Sequence, residues 1–303
     1  MAPTFASFAL PVLFTVLAWW GSTALIFYLD NLPRHTFRWS MLGATVLAAV
    51  SLHGLLISSA QPTVAGAYVA FTCAVLAWGW LQMSFYMGFI TGPRIARCAE
   101  GCAGWRHFGH AIVVGLYHEL ASIALAAAVV ALTWNAPNHV GTWTFMILWW
   151  MHLSAKLNVF LGVSNLNAEF LPAHLDFIGP FLTQKPMNLL FPLSISASTV
   201  IAVLLVQALV AAAADPFRLA SLGFLATILT LAILEHWFLV LPLPAARSWN
   251  ALWRWTLSAR EKRLAHEKRG AHEKRGARAQ GWPAAVPCQA NASHLHTTNW
   301  RGK

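Results

Sequence analysis

The sequence predicts an all-α, polytopic membrane protein with about seven transmembrane helices, and three observations carry that prediction. Of 303 residues, 58% are hydrophobic and only 10% charged, against a soluble norm of about 45–50% apolar and about 25% charged. That composition excludes a soluble globular domain and a disordered chain. Seven apolar stretches, at about 5–29, 40–60, 64–90, 108–133, 140–163, 189–214 and 217–241, reach the length a helix needs. About 20 residues cross a hydrocarbon core about 30 Å thick, with every backbone amide bonded inside the segment. Finally, the basic residues alternate with these stretches. With the N-terminus outside, nineteen of the twenty Lys and Arg fall on the cytoplasmic side and only Arg218 faces out, as positive-inside loops require. An even number of crossings breaks this alternation, so the N-terminus is expected to be periplasmic and the C-terminus cytoplasmic.

The first stretch has no Lys or Arg ahead of it and is longer than a signal-peptide core, so it is expected to stay as a span. The formal charge of +10 is accounted for by topology, and nucleic acid is not expected as a partner. Cys73, Cys98, Cys102 and Cys288 are too few and too scattered for a disulfide framework and are expected to be reduced. The organisation expected is a membrane domain over 1–245 with a cytoplasmic interfacial or re-entrant segment at 164–188. An interfacial amphipathic turn follows at 246–258, anchored by Trp249, Trp253 and Trp255, then a basic tail at 259–303 expected to be disordered. The tail repeats a six-residue unit, His266–Ala271 and His272–Ala277 both reading HEKRGA. A hexad does not match the 3.6-residue helical period, so no face of it is set for burial.

Ionisable groups inside hydrocarbon are costly, at about 2.5–3.5 kcal/mol on insertion scales, so each needs a partner or a purpose. They are His53, His118, Glu119, His152, Lys156, Glu235 and His236. Lys156 and Glu235 should lie at similar depth, which predicts an interhelical ion pair between them. His118, Glu119, His152, Glu235 and His236 are the candidate cofactor-binding residues, since neutral imidazole ligates metals and the magnesium of chlorophyll-type macrocycles. The alternative is that these groups bond one another and fix helix packing. A His/carboxylate catalytic metal centre is expected to show repeated pairs on one helix face. Here His118-Glu119 and Glu235-His236 are adjacent, so their members diverge by about 100°. The spacing Cys98-x3-Cys102-x4-His107-x2-His110 superficially resembles a zinc site, but its second half is short. No phosphate-cradling loop, nucleophile elbow or dinucleotide fingerprint occurs.

The segment 154–192 is too polar and proline-broken for a span and too apolar for a free loop. Irregular backbone near lipid persists only when packed on protein. Asn158, Asn165, Glu169, His174 and Asn188 within it are the candidate partner-docking residues, with an ordinary amphipathic linker as the alternative.

Several motifs, in order, carry a resemblance. TGPR at 91–94, HELA at 118–121, SAKLN-x-FLGV-x-N at 154–165, EFLP-x-HL at 169–175, MN-x-LFP at 187–192 and EHWFLVLPLP at 235–244 look like the PuhE-type photosynthetic complex assembly proteins of purple phototrophic bacteria. The likeness covers about 5–257. It implies a multi-pass protein of the bacterial inner (cytoplasmic or intracytoplasmic) membrane. Such a protein supports assembly of the photosynthetic reaction centre and light-harvesting complex, or supplies bacteriochlorophyll or a related tetrapyrrole to their subunits. No catalytic residues carry over from the family. The competing reading is a membrane metal- or cofactor-dependent enzyme of pigment metabolism using the His/Glu cluster.

Overall fold

The computed structural model describes residues 5–96, 102, 104–166, 171–212 and 214–241. Among these residues it is built of eight α-helices: α1 (Phe5–Asp30), α2 (Phe37–Ser59), α3 (Val64–Tyr86), α4 (Gly104–Val114), α5 (Leu116–Leu132), α6 (Val140–Leu161), α7 (Leu190–Ala211) and α8 (Pro216–Val240). Two of the starts follow directly from local chemistry. Thr63 accepts a hydrogen bond from the Gly66 amide at 3.0 Å and begins α3. Asp215 accepts from the Phe217 and Arg218 amides, at 3.0 and 3.2 Å, ahead of Pro216 at the first helical position of α8. Side-chain caps of this kind satisfy donors that a helix start leaves orphaned.

Helix α3 lies at the centre. It packs against α1, α2, α5, α6 and α8, and its Ala67, Ala70, Ala74 and Ala77 are each at most 1% exposed. In lipid the apolar effect does not drive helices together. Small residues at heptad-like spacing instead let backbones approach and gain packing contacts. Gly141 shows how closely: a Cβ there meets Leu55 Cδ2 of α2 and the Ala70 carbonyl of α3. Above this small-residue face sits an aromatic layer in which Phe71 and Phe224 stack at 4.6 Å, edged by Phe14 and Tyr68. Half of the most apolar stretch of α3 and of α8 is buried, against 6% for α1, 17% for α2 and 11% for α7. The outer helices therefore present long apolar faces outward.

By length and apolarity together, five helices qualify as membrane spans, and a sixth is formed if α4 and α5 are one span bent by 57°. Among the described residues this bears out a multi-span helical protein and reaches five or six of the seven spans expected. Helix α6 has 22 residues, but His152, Ser154, Lys156 and Asn158 dilute its apolar run. The helix that falls short on apolarity is the one that carries the polar site.

Within the expected segment at 164–188, residues 173–188 pack on protein. A 3-10 helix, Ala173–Phe181, buries Leu175, Ile178 and Phe181 against Ala111 and Val114 of α4 and Phe160 of α6. The segment then returns alongside the end of α6. Val163 bonds two residues across it, donating its N–H to Thr183 O at 3.2 Å and accepting the Lys185 N–H at its own carbonyl at 3.1 Å. Gly162, at φ +126°, makes the turn, and a Cβ there meets the Lys185 side chain. The amphipathic turn at 246–258 and the tail at 259–303 lie outside the described residues.

Candidate intramembrane His–Glu–Lys site

The apolar run at 108–133 is broken at Gly115, between α4 and α5. A break inside hydrocarbon leaves backbone groups without helical partners, and these must be met by protein. The Thr91-Gly92-Pro93 turn does so. The Thr91 carbonyl accepts the His118 amide at 3.0 Å. Gly92 lies so close to the Val113 and Val114 carbonyls that a Cβ has no room. TGPR is thus the wedge that holds the break open.

At the break the first turn of α5 faces α6, and four ionisable side chains meet. Lys156 Nζ donates to Glu119 Oε1 at 2.8 Å, with side-chain exposures of 13% and 16%. A Cβ on Gly115 falls on the Lys156 ammonium, so glycine leaves the space the cation fills. Phe85 and Phe160 flank that ammonium at 5.6 and 6.0 Å, a cation–π arrangement. The rings of His118 and His152 stand 5.6 Å apart. His118 also packs on Phe85 at 4.9 Å and His152 on Trp78 at 5.3 Å. His118 is 0% exposed, and neither of its ring nitrogens has a hydrogen-bond partner among the described residues. One ligand atom each from His118, Glu119 and His152 lie within 4.8 Å of one another.

The expected Lys156–Glu235 pair is therefore corrected: Lys156 is taken by Glu119. Glu235 instead accepts the Trp19 indole N–H at 3.1 Å. The depths were compatible, but His152 and Lys156 are one turn apart and share a face of α6 turned toward α5. Helix α8 meets the other face. There His236 Nε2 lies 3.0 Å from Ser154 Oγ, and its Nδ1 lies 2.9 Å from the Ala232 carbonyl. A carbonyl only accepts, so Nδ1 carries the proton and the Ser154 hydroxyl donates to Nε2. Asn158 adds a bond from Nδ2 to the Ser154 carbonyl at 2.9 Å.

Four of the five residues expected to dock a partner make hydrogen bonds inside the chain. Asn158 is 0% exposed. Asn165 Nδ2 donates to the Phe238 and Leu241 carbonyls, both at 2.9 Å. Asn188 Nδ2 donates to the Asn158 and Gly162 carbonyls while its Oδ1 caps Leu190 and Phe191 at the start of α7. His174 Nε2 meets the Tyr86 carbonyl at 2.7 Å. Glu169 lies outside the described residues. In the zinc-like motif, Cys98 is also outside them, Cys102 Sγ contacts His110 Nδ1 at 3.4 Å, and His107 stacks on Phe181. Sequence reasoning missed Asn138, which ties the α5–α6 turn to Ser58 and Gln61, and it missed Gly115. A glycine midway through an apolar run was the available signal for the latter.

A chlorophyll-type macrocycle needs one imidazole nitrogen free and a flat slot beside it. His236 does not fit, because both nitrogens are spent. His118 is walled by Phe85 and His152, which leaves no flat face open beside it. His53 lies instead in the C-terminal half of α2, exposed on the face that also exposes Val46, Val50, Leu56 and Ile57.

Fold and site together define an all-helical membrane protein with a buried His–Glu–Lys cluster at a broken helix. A family model described as "Protein of unknown function (DUF3623)" matches residues 5–264, and the chain belongs to that family. It is 35% identical over 258 residues, 83% of this chain and 92% of the relative, to the "Uncharacterized 30.4 kDa protein in puhA 5′region" of Rhodobacter capsulatus. This agrees with the resemblance carried by the motifs. No solved structure matches.

Proposed function

We propose that the protein acts in assembly of the photosynthetic reaction centre and its light-harvesting complex. Its place is the bacterial inner membrane, crossed seven times with the N-terminus outside. The observation that carries this reading is the relative in the puhA 5′ region, in agreement with the ordered motifs of an assembly family. Seven crossings follow if α6 and the bent α4–α5 pair each count as one beside the five apolar helices, and the distribution of Lys and Arg supports the orientation. Bacteriochlorophyll or a related tetrapyrrole is the cargo this role implies. His53 is the imidazole best disposed to hold it, because an imidazole turned toward lipid lacks the partners water supplies. Purification in mild detergent from phototrophically grown cells tests this. Reaction-centre or light-harvesting subunits should co-purify, with near-infrared absorbance lost in His53→Leu and kept in His236→Ala. A colourless preparation free of photosynthetic subunits would rule the reading out.

A second reading, a metal-dependent membrane enzyme of pigment metabolism, is favoured by one observation. His118, Glu119 and His152 converge at a helix break, where membrane proteins place substrate and ion sites.

A further inference from the structure

We infer that His118, His152 and Glu119 form a site for one divalent first-row transition-metal ion, with Lys156 as the cation that holds the carboxylate until the ion arrives. The site rests on the cluster's geometry alone and stands apart from the assembly reading.

Four observations lead to it. His118 is wholly buried with both ring nitrogens unpartnered. Leaving a buried polar group unpaired costs about 1–3 kcal/mol, and that cost persists in a fold that satisfies the neighbouring His236 completely. The three donors already lie within 4.8 Å. Bonds of about 2.1 Å in a tetrahedral site place donors about 3.4 Å apart, so binding needs a contraction of at most about 1.4 Å, within reach of side-chain rotation. Two imidazoles and one carboxylate suit Zn²⁺, Fe²⁺, Co²⁺ or Ni²⁺ with one position open, whereas Mg²⁺ and Ca²⁺ take oxygen shells.

Charge supplies the fourth. Glu119 and Lys156 form a neutral pair. A divalent ion on Glu119 puts a like charge beside the ammonium, so Lys156 has to release the carboxylate as the ion enters. The cation sits against Gly115, next to the last carbonyls of α4, which attract positive charge at a helix C-terminus. Ion and ammonium thus compete for one carboxylate.

The test uses the full-length protein in detergent, stripped with a chelator and titrated with Co(II), then Zn(II). One cobalt per chain with the ligand-field absorption of a four-coordinate nitrogen and oxygen site is expected, displaced by zinc. His118→Gln and His152→Gln should each weaken binding by about a hundredfold. Lys156→Gln should tighten it by about tenfold by removing the competing charge, a gain that misfolding cannot imitate. Cys102→Ser and the paired change His266→Ala with His272→Ala should leave the spectrum unchanged. Cobalt absorption that survives in both histidine variants, that disappears with Cys102 or the tail histidines, or that never forms in the parent and in Lys156→Gln overturns the inference. So does unchanged or weaker binding in Lys156→Gln.

Discussion

The two faces of α6 carry the same kinds of residue and treat them oppositely. Toward α8, Ser154 and Asn158 join His236 in a relay in which both imidazole nitrogens are bonded. Toward α5, His152 and Lys156 face His118 and Glu119, where one ion pair is made and an imidazole is left without partners. Burial is similar on the two sides, with His118 0% and His236 2% exposed. The difference lies in the imidazoles: both His236 nitrogens are bonded and neither His118 nitrogen is, while Asn158 Oδ1 is also unpartnered among the described residues. A polar group in a low-dielectric interior is held by a closed network or is held for something else. The α8 face is packing chemistry; the α5 face is poised chemistry.

Substitutions break or sharpen this contrast. The largest effect belongs to Lys156→Ala, which leaves the Glu119 carboxylate partly buried without its cation. A loss of about 3 kcal/mol is expected, read as a lower melting midpoint in detergent. The paired change Lys156→Met with Glu119→Gln should recover most of it, because no bare charge then remains. Next comes His236→Ala, which leaves Ser154 Oγ and the Ala232 carbonyl short of a partner at a cost of about 2 kcal/mol. A double-mutant cycle with Ser154→Ala should show coupling of about 1 kcal/mol. Asn188→Ala removes the cap of α7 and two carbonyl partners on the α6 end, for about 1 kcal/mol, measured in the same way. The smallest effect is expected for His118→Phe. Neither ring nitrogen loses a bond and the aromatic packing on Phe85 is retained, so the midpoint should move little or rise.

Much of the scaffold was legible in the sequence. The helix stretches, the packed segment after α6 and the set of intramembrane ionisable residues follow from local composition and spacing. What was not legible depends on how helices face one another. Lys156 has two acidic residues at workable depth, and only the packing of α5 beside α6 decides for Glu119. The 100° divergence of adjacent His118 and Glu119 argued against convergence, yet His152 enters from another helix and closes the set. Asn165 and Asn188 looked like docking groups because their partners are backbone carbonyls 26 to 76 residues away. Helix α6 falls short on apolarity because polar site residues replace aliphatic ones.

The central claim is that the imidazole on one side of α6 serves a ligand while the one on the other serves the fold. Comparing His118→Phe with His236→Phe, in melting midpoint and in Co(II) binding on the same preparations, tests it most directly. The account predicts that His118→Phe keeps its midpoint and loses cobalt, and that His236→Phe melts lower while its folded fraction still binds. The claim is contradicted if His118→Phe is the less stable of the two and cobalt binding survives in it.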